Sequence, residues 1–527
     1  MRITNKIMRN NSLYNINQNK ILEDKLTNQM TNQSKIVRPS DDPVVAIRAL
    51  RLRSNVASVT QYHDKNASDA DQWLTLTADA LKTIDDVLKN LYEQATGAAN
   101  KYETSEDLSI ILEQMKSLTN EFYASGNVDY AGRYVFSGFR TDTAITFSAE
   151  DEARMKEHPV SYNITENIGY ENISTINYTD FSVLDDGLPT GAAANNESYE
   201  QYVKNTTIYR FRLAYDDVEA MKDGGTLKFA DKYGNELQQL QWTDSSTTPP
   251  TQQTLTGADM IKEYEDAEEA YKAISDDKDF HGIAYIPSTG ELVFSEKVYK
   301  ENFKEGDGFQ ITYDKSNWAE GDINPVHHFQ CIETQDNGEK IAYNTTSANQ
   351  DIYYDVGFNQ KIQVNTVATE VFTHDVQRDM DDFYQQSMKQ LKAIETKIKD
   401  IETKMEGLPE DGTQYKDLAL QLEGAKKADS YIRENIQKKF ENQITKYQKY
   451  RDNNDLAITN NATRGSRLDL ITQRLSNQKA TFKELQTDNE GIDITQVAVE
   501  LTSSELTYQA ALMATGKIMQ TNLMNYI

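Results

Sequence analysis

Apolar residues recur at intervals of three and four over the first quarter and last third of this chain, and at intervals of two in between. Leu74, Thr77, Leu81, Ile84, Leu88 and Leu91 repeat at three and four, with Ala67 and Ala70 upstream and Ala95 and Ala98 downstream. That spacing predicts a helix carrying a coiled-coil seam. A further helix, with Ser105 as its expected cap, repeats the spacing at Leu108, Ile111, Met115, Leu118 and Phe122. Helix returns after Phe372, with Leu391, Ile394, Ile398, Ile401 and Met405 in register, and a turn at Gly407–Gly412. A long helix from about Thr413 then closes on Leu468, Ile471, Leu475, Gln478, Phe482 and Leu485.

The two extremities differ from these seams. Ile7, Tyr14 and Ile21 stand at sevens, followed by Leu22 and Leu26, in a segment rich in Asn and Gln. A stripe this thin leaves a helix marginal alone and dependent on a partner. The last helix, after a break near Asp488–Gly491, carries Val497, Leu501, Tyr508, Ala511 and Ile518, with Leu506 and Met513 on one further row and Leu512 and Met519 on another. Its apolar surface is wider than one seam. The expected assembly face is therefore Ile7, Tyr14, Ile21, Leu26, Val497, Leu501, Leu506, Tyr508, Leu512, Met513, Ile518, Met519 and Leu523, packing between molecules. Between first and second helices lies Arg38-Pro39-Ser40-Asp41-Asp42-Pro43. Pro39 disfavours helix before it, Asp41 and Asp42 are placed for capping, and Pro43 suits a first helical position because its missing N–H has no helical partner there.

In the middle, Tyr130–Gly138 reads as a strand entering a hairpin, and alternating runs recur at Ile208–Leu213, Leu292–Phe294 and Phe309–Tyr313. One acidic helix, roughly Ala258–Ile274, interrupts them. The expected fold class is mainly α with an α+β insertion: a long coiled-coil-like bundle formed by N- and C-terminal segments, a β-hairpin region and a mixed central domain. The boundaries follow as 1–42 with 488–527 for the terminal helices, 43–147 with 360–487 for the bundle and hairpin, and 148–359 for the insertion.

Charge sharpens this division. Residues 148–370 hold 41 acidic and 17 basic side chains of a chain with net charge -28, whereas residues 1–60 hold 10 basic and 4 acidic. An acidic middle argues against a nucleic-acid face, which needs cations against phosphates. A basic first segment and a last segment of 4 acidic and 1 basic side chains (490–527) suit pairing of the ends. Mean hydropathy is -0.71, and no run approaches the ~18 apolar residues of a membrane span. The opening residues lack the apolar core of a cleaved secretory signal.

Candidate chemistry is thin. The six histidines form no His-Glu-x-x-His pattern, and His327-His328 is expected as a surface pair rather than half a metal site. The single Cys331 is expected as a small, partly buried strand residue. Glu305-Gly306-Asp307-Gly308 lacks the other ligands of a calcium loop and reads as a turn before the Phe309 strand. No cofactor and no enzyme is expected, although an enzyme lodged in 148–359 is the alternative from another class.

Several motifs resemble the flagellin superfamily: the opening Met1-Arg2-Ile3-Thr4, the Arg38–Ala46 segment, Gly132–Gly138, Ile362–Asn365 with Val371-Phe372, Gly465–Leu468 and the closing Asn525-Tyr526-Ile527. Flagellin proper usually carries Asp-Asp-Ala-Ala-Gly where this chain has Asp41-Asp42-Pro43, so the resemblance favours the hook–filament junction branch over a filament subunit. It covers about 1–147 and 360–527, departing at Asn32-Gln33, where the family has Thr-Gly, and in longer paired helices around 380–450. The resemblance implies a non-enzymatic axial protein, exported unfolded through the flagellar type III apparatus. The implied partners are further copies in a ring, a hook-side junction protein (hook-associated protein 1), flagellin and an export chaperone. The implied location is the bacterial flagellum after a cytoplasmic stage.

Overall fold

The structure, a computed structural model, describes residues 5–99, 104–188, 198–244, 250–276, 280–344 and 350–520. The described chain is mainly α with β insertions and divides into two compact units. One comprises 1–72, 353–362 and 465–527; the other comprises 73–352 and 363–464.

The helices are α1 (Asn5–Asn32), α2 (Pro43–Thr60), α3 (Ser68–Ala98), α4 (Ser105–Ala124), α5 (Ala149–Glu157), α6 (Val183–Asp186), α7 (Ala267–Asp276), α8 (Glu296–Asn302), α9 (Ala368–Val371), α10 (Asp375–Asp382), α11 (Lys389–Met405), α12 (Thr413–Glu490) and α13 (Ile494–Gln520). Every seam position from Ala67, just before α3, to Ala98 at its end is buried. The cap of α4 is Thr104 rather than Ser105. Its Oγ1 accepts from the Asp107 amide at 3.2 Å while Asp107 accepts from the Thr104 amide at 3.1 Å, a reciprocal box that Ser105 has no residue three along to complete.

In the larger unit the strands form two five-stranded sheets. In order across the first lie β4 (Ser174–Asp180), β5 (Lys204–Arg212), β11 (Glu291–Phe294), β10 (Ile283–Ile286) and β9 (Ile261–Glu263). Across the second lie β14 (Lys340–Tyr343), β13 (Gln330–Thr334), β3 (Ser161–Gly169), β12 (Gly308–Lys315) and β6 (Leu227–Asp231). Phe211 and Phe294 of the first meet Phe229 and Phe309 of the second around Phe303, with Phe211 centroids 5.3–5.4 Å from all four. The period-two alternation of β12 is what turns Phe309, Ile311 and Tyr313 inward. Two small hairpins complete the unit: β1 (Asp129–Tyr130) with β2 (Arg133–Tyr134), and β7 (Gln239–Asp244) with β8 (Thr251–Thr256).

Three expectations are corrected. The hairpin expected at Tyr130–Gly138 is present but earlier and shorter, pairing Asp129–Tyr130 with Arg133–Tyr134 across Ala131 and Gly132, which both take positive φ (52° and 77°), the geometry of a two-residue turn. The acidic helix is shorter and starts later, at Ala267; the chain before it turns at Gly257 and joins the sheet as β9, parallel to β10. His327 is buried, with its Nε2 donating to the Ala144 carbonyl at 3.1 Å, and the His328 ring packs 4.7 Å from that of His374, so the pair is no surface feature. Cys331 sits buried in β13, its thiol pushed up to about 12 by burial. Among the described residues no group of three or more His, Cys, Asp or Glu is placed to hold a metal ion, and no helix is long and apolar enough to cross a membrane.

Burial holds these imidazoles neutral, His327 lowered to about 4 and His374 to about 3. Below 6.5 the unfolded chain therefore binds protons that the folded chain refuses, and stability falls as pH drops from 6.5 toward 4. His327→Gln is expected to reduce that slope by up to about 1.4 kcal/mol per pH unit, measured by urea unfolding at pH 6.5 and 4.5. Identical pH dependence in variant and parent would refute it.

Candidate assembly surface

In the smaller unit α1 and α13 pack against each other. Their junction is fixed where α1 ends. The Lys35 amide donates to the Glu490 carbonyl at 2.7 Å, Ser34 bridges Gly491, and Lys35 Nζ reaches the Asp488 carbonyl at 3.0 Å. Arg53 grips Glu490 with two nitrogens, one at 2.9 Å. With the end of α1 beside the start of α13, the two helices run antiparallel. Gln33, where the resemblance has glycine, takes a left-handed φ of 52°, so the turn is made without the residue suited to it.

The segment before α2 divides labour between adjacent acids. Asp41 Oδ2 accepts from the Arg38 and Val37 amides at 2.8 and 3.1 Å, which closes the turn around Pro39. Those amide bonds, Arg38 first, hold its carboxyl below the ordinary value. Asp42, extended at φ -152°, accepts from the Val44 and Val45 amides, with Pro43 in the first turn. This is the cap the sequence predicts. Asp42→Ala is expected to cost about 1 kcal/mol, read from urea unfolding, with Asp42→Ser close to the parent.

Burial along the terminal helices defines two faces. The side of α1 turned to α13 presents Ser12, Ile16, Asn19, Glu23, Leu26 and Gln29, and the facing side of α13 presents Val497, Leu501, Ser504, Tyr508, Ala511 and Thr515. Both keep the three–four spacing, but half of these side chains are polar. Outside this seam the apolar residues stand free: Ile7, Tyr14 and Ile21 are 49%, 64% and 62% exposed, and Val499, Leu506 and Met513 are 64%, 62% and 67% exposed. Each set of three repeats at sevens. The heptad read from Ile7, Tyr14 and Ile21 is therefore not the one that pairs α1 with α13.

The expected face thus splits. Leu26 and Val497 are buried within the chain, and Leu501 and Tyr508 are half-buried there, because these four fall on the α1–α13 seam. Ile7, Tyr14, Ile21, Leu506, Leu512 and Met513 are exposed. Val499 belongs with them and was missed; its spacing of seven before Leu506 was the available signal. Ile518 and Met519 end α13 with side chains outside the described set, and Leu523 lies outside the described residues.

The bacterial flagellin N-terminal helical region, as a family, matches residues 3–141. Two curated proteins align further. Flagellar hook-associated protein 3 of Escherichia coli K12 is 28% identical over 151 residues, covering 28% of this chain and 47% of that one. That of Salmonella typhimurium is 24% identical over 180 residues, covering 34% and 55%. The chain is similar to flagellar hook-associated protein 3. It spans about half the length of the curated hook-associated proteins it matches. A putative flagellar hook-associated protein from Vibrio parahaemolyticus is 11% identical, with 86% of this chain and all of that one covered at a TM-score of 0.31. Hook-associated protein 3 from Legionella pneumophila is 12% identical, with 82% and 98% covered, at 0.28. The flagellin-type region ends just after the β1–β2 hairpin, so α1 to α4 lie within it.

Proposed function

We infer that this protein is a non-enzymatic structural adaptor at the hook–filament junction of the bacterial flagellum. Its copies assemble through the terminal helices, meeting a hook-side junction protein on one side and flagellin on the other. The observation that carries this reading is the pair of uncovered heptad rows, Ile7-Tyr14-Ile21 and Val499-Leu506-Met513, on helices whose shared seam is half polar. Apolar rows at sevens suit left-handed packing against further helices. A chain that needs only to fold gains nothing by placing polar side chains in its seam while whole apolar rows stay in solvent. Similarity to hook-associated protein 3 supplies the biological setting.

On this reading 1–42 and 488–527 form the inner layer of the tube, 43–147 with 360–487 the next, and the acidic 148–359 projects outward. Export proceeds through the type III apparatus with a chaperone holding the last helix. The test is deletion of the gene in the source bacterium, followed by electron microscopy of hooks and assay of flagellin in the medium. Finished hooks without filaments, with flagellin in the medium, are expected. Normal filaments would overturn the junction role, and bare hooks with no flagellin in the medium would point to a filament subunit.

A further inference from the structure

The larger unit holds a cleft of about 110 Å³ where the edge strand β4 meets α7, α11 and α12. Its polar wall is the segment Phe383–Met388, a six-residue π-helical stretch joining α10 to α11, which contributes Gln385, Gln386 and Ser387. Widened turns of this kind loosen the regular backbone hydrogen bonding and occur frequently at functional sites. Lys439, reaching across from α12, donates to the Asp382 carbonyl at 2.8 Å, to Ser387 Oγ at 3.2 Å and to Gln386 Oε1 at 3.4 Å. The opposite wall is apolar, formed by Ile176, Ile432 and Ile436, and Lys389 and Lys438 stand at the mouth.

Lys439 differs from the other cations here. Arg210 is matched by Glu291 and Asp382, Lys438 is bonded to Glu434, and Lys389 lies within 4 Å of Asp266 and Glu268. The hydrogen bonds of Lys439 go only to uncharged oxygens, and burial lowers its ammonium to about 8 against the pull of the Asp382, Glu291 and Asp379 carboxylates, which Arg210 and its neighbours already engage. A partly exposed ammonium bonded only to neutral oxygens gains a stronger, charge-assisted bond when an anion replaces one of them.

We propose that this cleft binds a small organic anion, a carboxylate on an apolar or aromatic body, with the carboxylate on Lys439 and the body against Ile176, Ile432 and Ile436. The inference is independent of the junction role. It is tested by titrating benzoate into the full-length protein and following heat and ligand-observed saturation transfer. One saturable site per chain is expected. Lys439→Gln, which keeps donors for the Asp382 carbonyl and Ser387 but no charge, should weaken it by about tenfold or more, and benzyl alcohol should bind the parent more weakly by a similar factor. Asn442→Trp, at the exposed rim, should block entry without disturbing the core, and serves if the lysine variant fails to fold. No saturable binding up to roughly 10 mM, or equal affinity in parent and in folded variants, overturns the proposal.

Discussion

Arg210→Met will cost this protein about 3–5 kcal/mol of folding stability, the largest loss expected from any single substitution outside its apolar core. Arg210 and Arg212 stand two apart on β5, so both point to one side of the sheet while Phe211 points to the other. Asp375, Asp379 and Asp382 stand four and three apart on α10, so all share one helix face. Arg210 joins Glu291 and Asp382; Arg212 joins Asp382 at 2.9 Å, Asp379 at 2.6 Å and Asp375 at 2.8 Å. Tyr271 donates to the far oxygen of Glu291 at 2.5 Å, and Lys446 adds a second cation to Asp379 at 2.6 Å.

Burial opposes the charges of Arg210, Arg212, Asp379 and Asp382. For Asp382 the two guanidinium groups more than offset it and hold its carboxyl well below the ordinary range. Removing Arg210 leaves Glu291 and Asp382 buried with their main counter-charge gone, which is costly in a way that removing an exposed pair is not. Arg210→Lys keeps the charge but loses the fork that reaches both carboxylates, so its loss should be smaller. Urea unfolding at neutral pH decides the matter. A loss below about 1 kcal/mol for Arg210→Met would show that the cluster is not what fastens β5 to α10.

The second large effect is expected in assembly rather than stability. Leu506→Asp with Met513→Asp places two charges on the exposed row of α13, where each side chain is more than half in solvent. In the monomer such substitutions should stay within roughly 0.5 kcal/mol of the parent. In a closed interhelical seam each charge loses its hydration without a partner, which costs at least several kcal/mol per site. Introduced into the deletion strain, the variant should fold and be exported yet leave hooks bare, while the parent chain restores filaments. Filaments at parental frequency on the variant would remove the exposed row from the assembly surface.

The legible part of this protein was its local periodicity. The α3 seam from Ala67 to Ala98, the Asp42 cap with Pro43 in the first turn, the break after Glu490 and the alternation of β12 all follow from residues near one another in sequence. Spacing of this kind is a property of the backbone's own repeat, so it survives without knowledge of the partner. Where a local choice depended on a distant segment, sequence reasoning failed. The 258–266 stretch looks helical until β10 offers Ile261–Glu263 a parallel strand to join. The histidines at 327 and 328 look exposed until Ala144 and His374 close over them.

The sequence by itself determined that the ends are helical, that the middle is mixed and acidic, that α1 carries only a thin apolar stripe, and that α13 carries more apolar surface than one seam uses. It could not determine which face of either helix is spent inside the chain. That was decided by the junction at Ser34, Lys35, Glu490 and Gly491, which sets the rotation of α1 against α13 and leaves the rows at sevens outside. The register of α3 on α12 was decided in the same way. Asn454 and Asn461, seven apart and buried, donate to the carbonyls of Leu81 and Leu74 at 2.9 and 2.8 Å. A buried amide tolerates only the register that brings it an acceptor, and the acceptor lies more than 370 residues away.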